Sequence, residues 1–139
     1  MKRTLLLSFA LTLGLVAYQN ASSTSIPAAM SRIFGAMWKW EKTEYSFGKI
    51  EQNKPVTAIF KFTNTGDAPL VLTTVAPSCG CTAPTYSKEP IMPGQEGTVE
   101  AKYNAAAMGA FTKTITVTAN TSAPIVLTIS GEVVLPGTK

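Results

Sequence analysis

Four stretches of this chain alternate apolar and polar residues with a period of two, and this pattern constrains the fold more than any other feature. Their apolar positions are Val56, Ala58, Phe60 and Phe62; Val99, Ala101 and Tyr103; Ile115, Val117 and Ala119; and Ile125, Leu127 and Ile129. Successive side chains of a strand point to opposite faces of a sheet, so the pattern predicts strands with one buried face. Threonine, which suits strands, is frequent at the intervening positions.

Segments rich in turn-forming residues separate these stretches and indicate how many strands the domain contains. The segments are Asn64 to Asp67, Pro77-Ser78, Pro90 to Gly94 and Asn120 to Pro124. We expect further strands near Trp38 to Phe47 and at Leu70 to Val75. The spacing predicts an antiparallel β-sandwich of six or seven short strands, with no long helix inside the domain. In the first turn we expect the Asp67 side chain to accept hydrogen bonds from backbone amides.

The beginning of the chain has the features of an export signal. Lys2 and Arg3 precede an apolar run from Leu5 to Ala17, which is too short and too interrupted for a good membrane span. We predict a signal peptide over residues 1–21, with cleavage between 17 and 29, and a tether over 22–36. The domain follows at 37–135, with a short tail at 136–139. The expected location is periplasmic or secreted, with membrane attachment only through an uncleaved signal segment.

Composition argues against several classes of function. The net charge is +4, and two of these positive charges belong to the predicted signal peptide. The remaining lysines are scattered, so no basic stripe indicates nucleic acid. The chain has no histidine, which excludes Ser-His-Asp and Cys-His arrangements and removes the usual general base. We therefore predict no enzyme, no catalytic residue, no bound cofactor and no small-molecule substrate.

Two sequence motifs carry a resemblance to a known family. Asn64-Thr-Gly-Asp-Ala-Pro-Leu70 is followed by Ser78-Cys-Gly-Cys-Thr82, and Ile129-Ser-Gly-Glu-Val133 closes the arrangement. Over about Trp38 to Val134 the chain resembles a bacterial exported family of unknown function, similar to domains of the Hydin and major sperm protein type. The resemblance implies an all-β, immunoglobulin-like antiparallel β-sandwich of about seven strands. The motif positions that we single out are Asn64, Gly66, Asp67 and Pro69 in the turn, and Ser78, Gly80 and Thr82 around the cysteines.

The two cysteines, Cys79 and Cys81, are the candidate reactive groups. Export favours a disulfide between them, and a turn with positive φ at Gly80 would bring their side chains together. A bridge that closes so small a ring would be strained, and it stabilises the fold by only about 1.6 kcal/mol in the chain-entropy model. We expect a passive local disulfide or two packed thiols, with thiol–disulfide exchange as an alternative.

Metal binding is a further alternative for this pair. Thiolates favour Cu(I), which Cys79 and Cys81 could bind as two ligands. Met92 and Met108 would add thioether ligands if their loops converge on the cysteines. Structural zinc is disfavoured because it requires four ligands.

Aromatic residues at the start of the domain have two interpretations. Trp38, Trp40, Tyr45 and Phe47 are expected to cover the end of the core, although an edge strand could present them to a partner. Our hypothesis for function is an exported, non-enzymatic interaction or assembly module with an unknown envelope or secreted protein as partner. That partner would meet an exposed sheet edge or the loop from Cys79 to Thr85, for example by strand addition. The alternative is a thiol-redox or Cu(I)-handling protein.

Overall fold

A computed structural model describes residues 35–137, and eight strands in this range form two packed sheets. The strands are β1 (Trp38–Trp40), β2 (Glu44–Glu51), β3 (Val56–Asn64), β4 (Leu72–Pro77), β5 (Thr82–Tyr86), β6 (Glu96–Tyr103), β7 (Gly109–Ala119) and β8 (Ile125–Val134). One sheet has the order β1-β3-β6-β5 and the other β2-β8-β7-β4. The predicted all-β sandwich is confirmed, and residues 35–137 contain no helix. The predicted signal peptide, and the predicted tether up to residue 34, lie outside the described residues.

The core lies between the sheets, on the faces that the sequence pattern predicted. On β3, Ala58, Phe60 and Phe62 are fully buried, and on the neighbouring β6 the same holds for Val99 and Ala101. The opposite sheet contributes a second buried set, consisting of Ile115, Val117, Leu127 and Ile129. Full burial of one such side chain contributes about 1.5–3 kcal/mol. The period-two pattern therefore identifies the central strands of both sheets correctly.

Strand pairing differs from the prediction on one side of the sandwich. The single strand expected near Trp38 to Phe47 is wrong, because the chain turns at Glu41 to Thr43 and enters the other sheet as β2. Strand β2 also pairs with β8 in parallel, with a bulge between Ser46 and Lys49, whereas all other strand pairs are antiparallel. The alternation of side chains encodes which face a residue occupies, but it does not encode the partner strand.

On the other side, the strand boundaries differ from the expected ones. Strand β4 begins at Leu72, because Leu70 instead pairs with Ile91 in an isolated bridge. Strand β5 was not expected at all, since its sequence contains Pro84 and lacks apolar alternation. A proline is compatible with an edge strand, and β5 is the edge of its sheet.

The aromatic residues of β1 and β2 cover one flank of the core, as expected. The ring of Trp40 lies 4.6 Å from that of Phe62, centroid to centroid, and the ring of Trp38 lies 6.1 Å from it. Tyr45 contacts Phe47, with ring centroids 4.8 Å apart. These half-buried rings close the gap between the sheets on the flank formed by β1 and β2.

Candidate functional site

The turn after β3 is organised by Asn64, whose side chain is fully buried. Its Oδ1 accepts a hydrogen bond from the Gly66 N–H at 2.9 Å, and its Nδ2 donates to the carbonyls of Ala68 and Ile91, both at 2.8 Å. The role expected for Asp67 is thus taken by Asn64. Asp67 is exposed, and among the described residues its carboxylate has no hydrogen-bond partner.

Gly66 and Pro69 have structural roles in the same turn. A Cβ atom at Gly66 would overlap the Gly35 carbonyl and the Met37 backbone, so the close approach of these two segments requires glycine. The Pro69 carbonyl accepts a hydrogen bond from Asn120 Nδ2 at 3.0 Å. This first motif therefore stabilises the fold, and none of its side chains is arranged for chemistry.

The second motif forms the crossover from β4 in one sheet to β5 in the other. Ser78 pairs with Thr114 of β7 twice, since its N–H donates to the Thr114 carbonyl at 2.8 Å and its Oγ accepts from the Thr114 N–H at 3.1 Å. At the other end, the Cys81 carbonyl accepts from the Asn104 N–H at 3.1 Å. The crossover is therefore attached to both sheets.

The structure places the sulfur atoms of Cys79 and Cys81 within bonding distance of each other, with their Cα atoms 5.3 Å apart. Both residues are half-buried, whereas Thr82 is buried with its Oγ1 4.0 Å from the Cys79 sulfur. The predicted positive φ at Gly80 is wrong: among the described residues the glycines with positive φ are Gly48, Gly94, Gly109 and Gly137. The pair is brought together without a left-handed residue.

An open cleft of about 270 Å³ lies beside the cysteine crossover. Its lining residues are Pro55, Gly80, Cys81, Ala83, Lys102 and Asn104. Lys102 and Ala83 are directly opposite each other in the β5–β6 ladder and both are exposed. The lining thus combines apolar side chains with one cationic and one amide side chain, a composition typical of small recognition sites.

The comparison with known families decides which family this domain represents. A family model described as a protein of unknown function (DUF1573) matches residues 38–133. The chain belongs to this DUF1573 family. The match begins at the first residue of β1 and ends one residue before the end of β8, so it covers the whole sandwich. No curated protein sequence matches the chain.

Solved structures with the same fold are remote in sequence. A protein of unknown function from Porphyromonas gingivalis W83 aligns with a TM-score of 0.62 at 14% identity, covering 75% of this chain and 50% of that one. The seventh PapD-like domain (ASH) of human CEP192 aligns with a TM-score of 0.60 at 9% identity, covering 73% and 87%. These likenesses show the fold alone, which is an immunoglobulin-like sandwich. This DUF1573 chain spans half the length of the Porphyromonas protein.

The same sandwich also forms part of an enzyme. The Vibrio cholerae VesB protease aligns with a TM-score of 0.54 at 14% identity, covering 70% of this chain and 32% of that one. The fold therefore does not determine whether a protein is catalytic, which depends on the residues of its site.

The structure does not bring together all the residues that the sequence singled out. The Asn64 N–H donates to the carbonyl of Gln95, just before β6, and the Cys81 carbonyl accepts from the N–H of Asn104, just after β6. The length of this eight-residue strand therefore separates the two motifs by about 25 Å. Met92 lies at the same end as Asn64 and cannot join Cys81 in a copper site. Within residues 35–137 no group of three or more His, Cys, Asp or Glu is placed to hold a metal. Copper binding by the cysteines themselves stays a prediction.

Three residues of the cleft were not anticipated from the sequence. Lys102 occupies an outward position in the alternation of β6, Asn104 directly follows that strand, and Pro55 directly precedes β3. The alternation signals that Lys102 is exposed, but its position beside Cys81 depends on the pairing of β5 with β6.

Among residues 35–137, no helix is long and apolar enough to cross a bilayer.

Proposed function

We propose that this DUF1573 protein is an exported, non-enzymatic interaction or assembly module, and that its partner is an envelope or secreted protein. The observation that carries the proposal is the open cleft beside Cys81, which is lined by the apolar side chains of Pro55 and Ala83 and the polar side chains of Lys102 and Asn104. Partner side chains that fill such pockets commonly dominate binding energy. The absence of histidine from the chain supports binding rather than acid–base catalysis at neutral pH.

The hydrogen bonds of the two neighbouring edge strands argue against strand addition at this flank. The backbone groups of successive residues in a strand point to opposite sides. Since the Ser78 N–H points to β7, the backbone of Pro77 in β4 points outward, away from the sheet. Cys81 accepts a hydrogen bond at β6, which likewise leaves Pro84 of β5 facing outward. Proline has no N–H to donate, so neither edge offers a complete ladder. We therefore expect the partner to insert side chains into the cleft.

A cross-linking capture with a cleft variant tests the proposal. Ala83→Arg places a long cationic side chain in the cleft, whereas Thr116→Arg places the same side chain on the exposed face of β7 in the other sheet. The proposal expects the chain isolated from its exported compartment to cross-link to a defined protein, Ala83→Arg to lose that product, and Thr116→Arg to retain it. Capture of the partner to the same extent by both variants would refute the proposed site. Failure of the wild type and of Thr116→Arg to cross-link to any defined protein would refute it as well.

A second candidate function, thiol–disulfide exchange, is favoured by one observation: Cys81 lines the open cleft while its sulfur lies within bonding distance of that of Cys79. Cu(I) handling by the same pair would require a dithiol reductant to convert the bonded sulfurs to two thiolates first. In exchange, a partner thiolate would attack one sulfur, form a mixed disulfide and release the other sulfur as a thiolate. Double substitution of Cys79 and Cys81 by serine separates the two functions. An interaction module keeps its cross-linked partner after this change, whereas a thiol or copper protein loses exchange or Cu(I) binding.

A further inference from the structure

The four sheet edges of the sandwich are not equally able to pair with another strand. Strand β1 has only three residues, and β4 and β5 each present an outward proline, Pro77 and Pro84. Strand β2 is different, because it is an edge strand of eight residues without a proline. An edge of this length exposes a row of backbone N–H and C=O groups that another strand can pair with. Among the four edges, β2 is therefore the one best suited to pair with another strand.

Two hydrogen bonds to β8 fix which residues of β2 face outward. The Thr43 carbonyl accepts from the Thr128 N–H at 2.8 Å, and the Gln52 N–H donates to the Val134 carbonyl at 2.9 Å. Alternate residues of a strand direct their backbone groups to opposite sides, and the bulge between Ser46 and Lys49 shifts this alternation by one residue. The residues of β2 whose backbone groups face outward are Glu44, Ser46, Lys49 and Glu51.

The charges along this edge are complementary to themselves in reverse order. In an antiparallel pair of two β2 strands centred between residues 46 and 47, Glu44 lies opposite Lys49 of the second copy, and Lys42 lies opposite Glu51. All four side chains are exposed. Both Glu44 and Lys49 carry outward-facing backbone groups, so their two pairs across the axis combine ladder hydrogen bonds with opposite charges, whereas the bulge leaves the outward groups of Ser46 opposite Phe47 and outside the new ladder. Opposite charges in such cross-strand pairs stabilise a sheet.

Neighbouring registers place like charges opposite each other. A shift by two residues in one direction pairs Glu44 with Glu51, and a shift in the other direction pairs Lys42 with Lys49. Charged residues on a sheet edge usually prevent pairing altogether. Of the antiparallel registers, the one centred between residues 46 and 47 brings the most opposite charges together, so the order of these charges favours a second copy of this chain as the pairing strand.

We propose that two copies of this chain associate through their β2 edges around a two-fold axis, which joins two four-stranded sheets into one of eight strands. Each copy contributes the same surface, as an isologous contact requires. Two contacts within the single chain would be replaced by contacts to the second copy. Lys42 Nζ lies 4.2 Å from the Tyr45 ring centroid, and Lys54 Nζ lies 3.4 Å from Glu51 Oε2. Both are exposed contacts that stabilise the monomer little. The β2 edge shares no residue with the proposed partner site, although Pro55 of that site also borders a pocket lined by Lys49 and Glu51.

Charge reversal and its rescue test this inference in the full chain, purified as the expressing host processes it. Sedimentation at increasing concentration should show a monomer–dimer equilibrium for the wild type. Glu44→Lys alone and Lys49→Glu alone should each abolish the dimer, because each creates two repulsive contacts across the axis. The double variant Glu44→Lys/Lys49→Glu restores opposite charges and should recover the wild-type dissociation constant. Glu100→Lys, on an exposed position of β6, is the matched control and should not change it.

Hydrogen exchange provides a readout that does not depend on any variant. The outward N–H groups of Glu44 and Lys49 should gain protection as the wild-type concentration rises, whereas the amide of Ser122, in the exposed loop between β7 and β8, should not. A wild type that stays monomeric at every concentration overturns the inference. A dimer that survives both single reversals, or that the double variant fails to recover, overturns it as well.

Discussion

Replacement of Asn64 by alanine is the sharpest test of how this fold is held together. The side chain is fully buried and makes three hydrogen bonds, accepting one from Gly66 and donating to Ala68 and Ile91. Alanine cannot replace any of them, so the Ala68 carbonyl and the Gly66 N–H lose their partner, and the Ile91 carbonyl keeps only the bond from the Leu70 N–H. The turn after β3 also holds the bridge between Leu70 and Ile91, which the lost bond to the Ile91 carbonyl would loosen.

The expected loss of stability follows from the number and burial of these groups. Each hydrogen bond contributes about 1 kcal/mol net, and each buried group left without a partner costs about 1–3 kcal/mol. Since the turn can relax and admit some water, we expect Asn64→Ala to lower the free energy of unfolding by about 3–5 kcal/mol. For a domain of this size, that loss lowers the melting temperature by roughly 12–20 °C.

Asn120 provides the matched control because its side chain has a similar bonding pattern at an exposed position. Its Oδ1 accepts from the Val71 N–H at 2.8 Å, and its Nδ2 donates to the Pro69 carbonyl at 3.0 Å. Water can replace these partners, so Asn120→Ala should cost about 1 kcal/mol or less. Urea unfolding followed by circular dichroism measures both values. Equal losses for the two variants would refute the argument that burial of Asn64 determines its contribution.

Two further predictions concern the core and the cysteines. Gly97 is buried where a Cβ atom would overlap the Phe62 ring and Ile91, so Gly97→Ala should destabilise the fold by about 1–3 kcal/mol in the same urea assay. Gly80→Ala is the control and should be neutral, since nothing lies within 4 Å of a Cβ atom there. The double serine variant of Cys79 and Cys81 should lose only about 1.6 kcal/mol. Loss of the folded state in that variant would contradict a minor structural role.

Sequence periodicity predicted the centre of the fold because burial there follows one simple rule. Phe60 and Val99 are opposite each other in the ladder, both are fully buried, and each lies in an alternating stretch. Pairing between strands obeys no such local rule. Tyr45 pairs with Ile129 in parallel because of how the chain crosses between sheets, and that crossing depends on contacts far apart in the sequence. The edges were therefore predicted less well than the centre.

In the candidate site, too, the local sequence identified single residues but not the contacts between segments that are distant in the sequence. Gly66 was identified as a turn residue, but the sequence could not distinguish Asn64 from Asp67 as the residue that organises the turn. Either side chain can accept a backbone N–H, and only Asn64 is held in the interior, where its amide also reaches Ile91 from a distant segment. The cysteines were visible as candidates, whereas the cleft beside them required Lys102 to be carried there by β6.

The edge strands on the two flanks of the sandwich differ in how they limit pairing with other strands. This difference distinguishes the proposed partner site at the cleft from the proposed dimer contact at β2. On one flank, Pro77 and Pro84 remove backbone donors, and the cysteine crossover connects the two edges directly. A flank protected in this way can expose an open cleft without offering a strand to other chains. On the other flank, β2 keeps every donor and relies on the order of its charges. If the cleft binds a partner while β2 pairs with a second copy, each dimer presents two partner sites on opposite flanks, and disrupting one contact should leave the other unchanged.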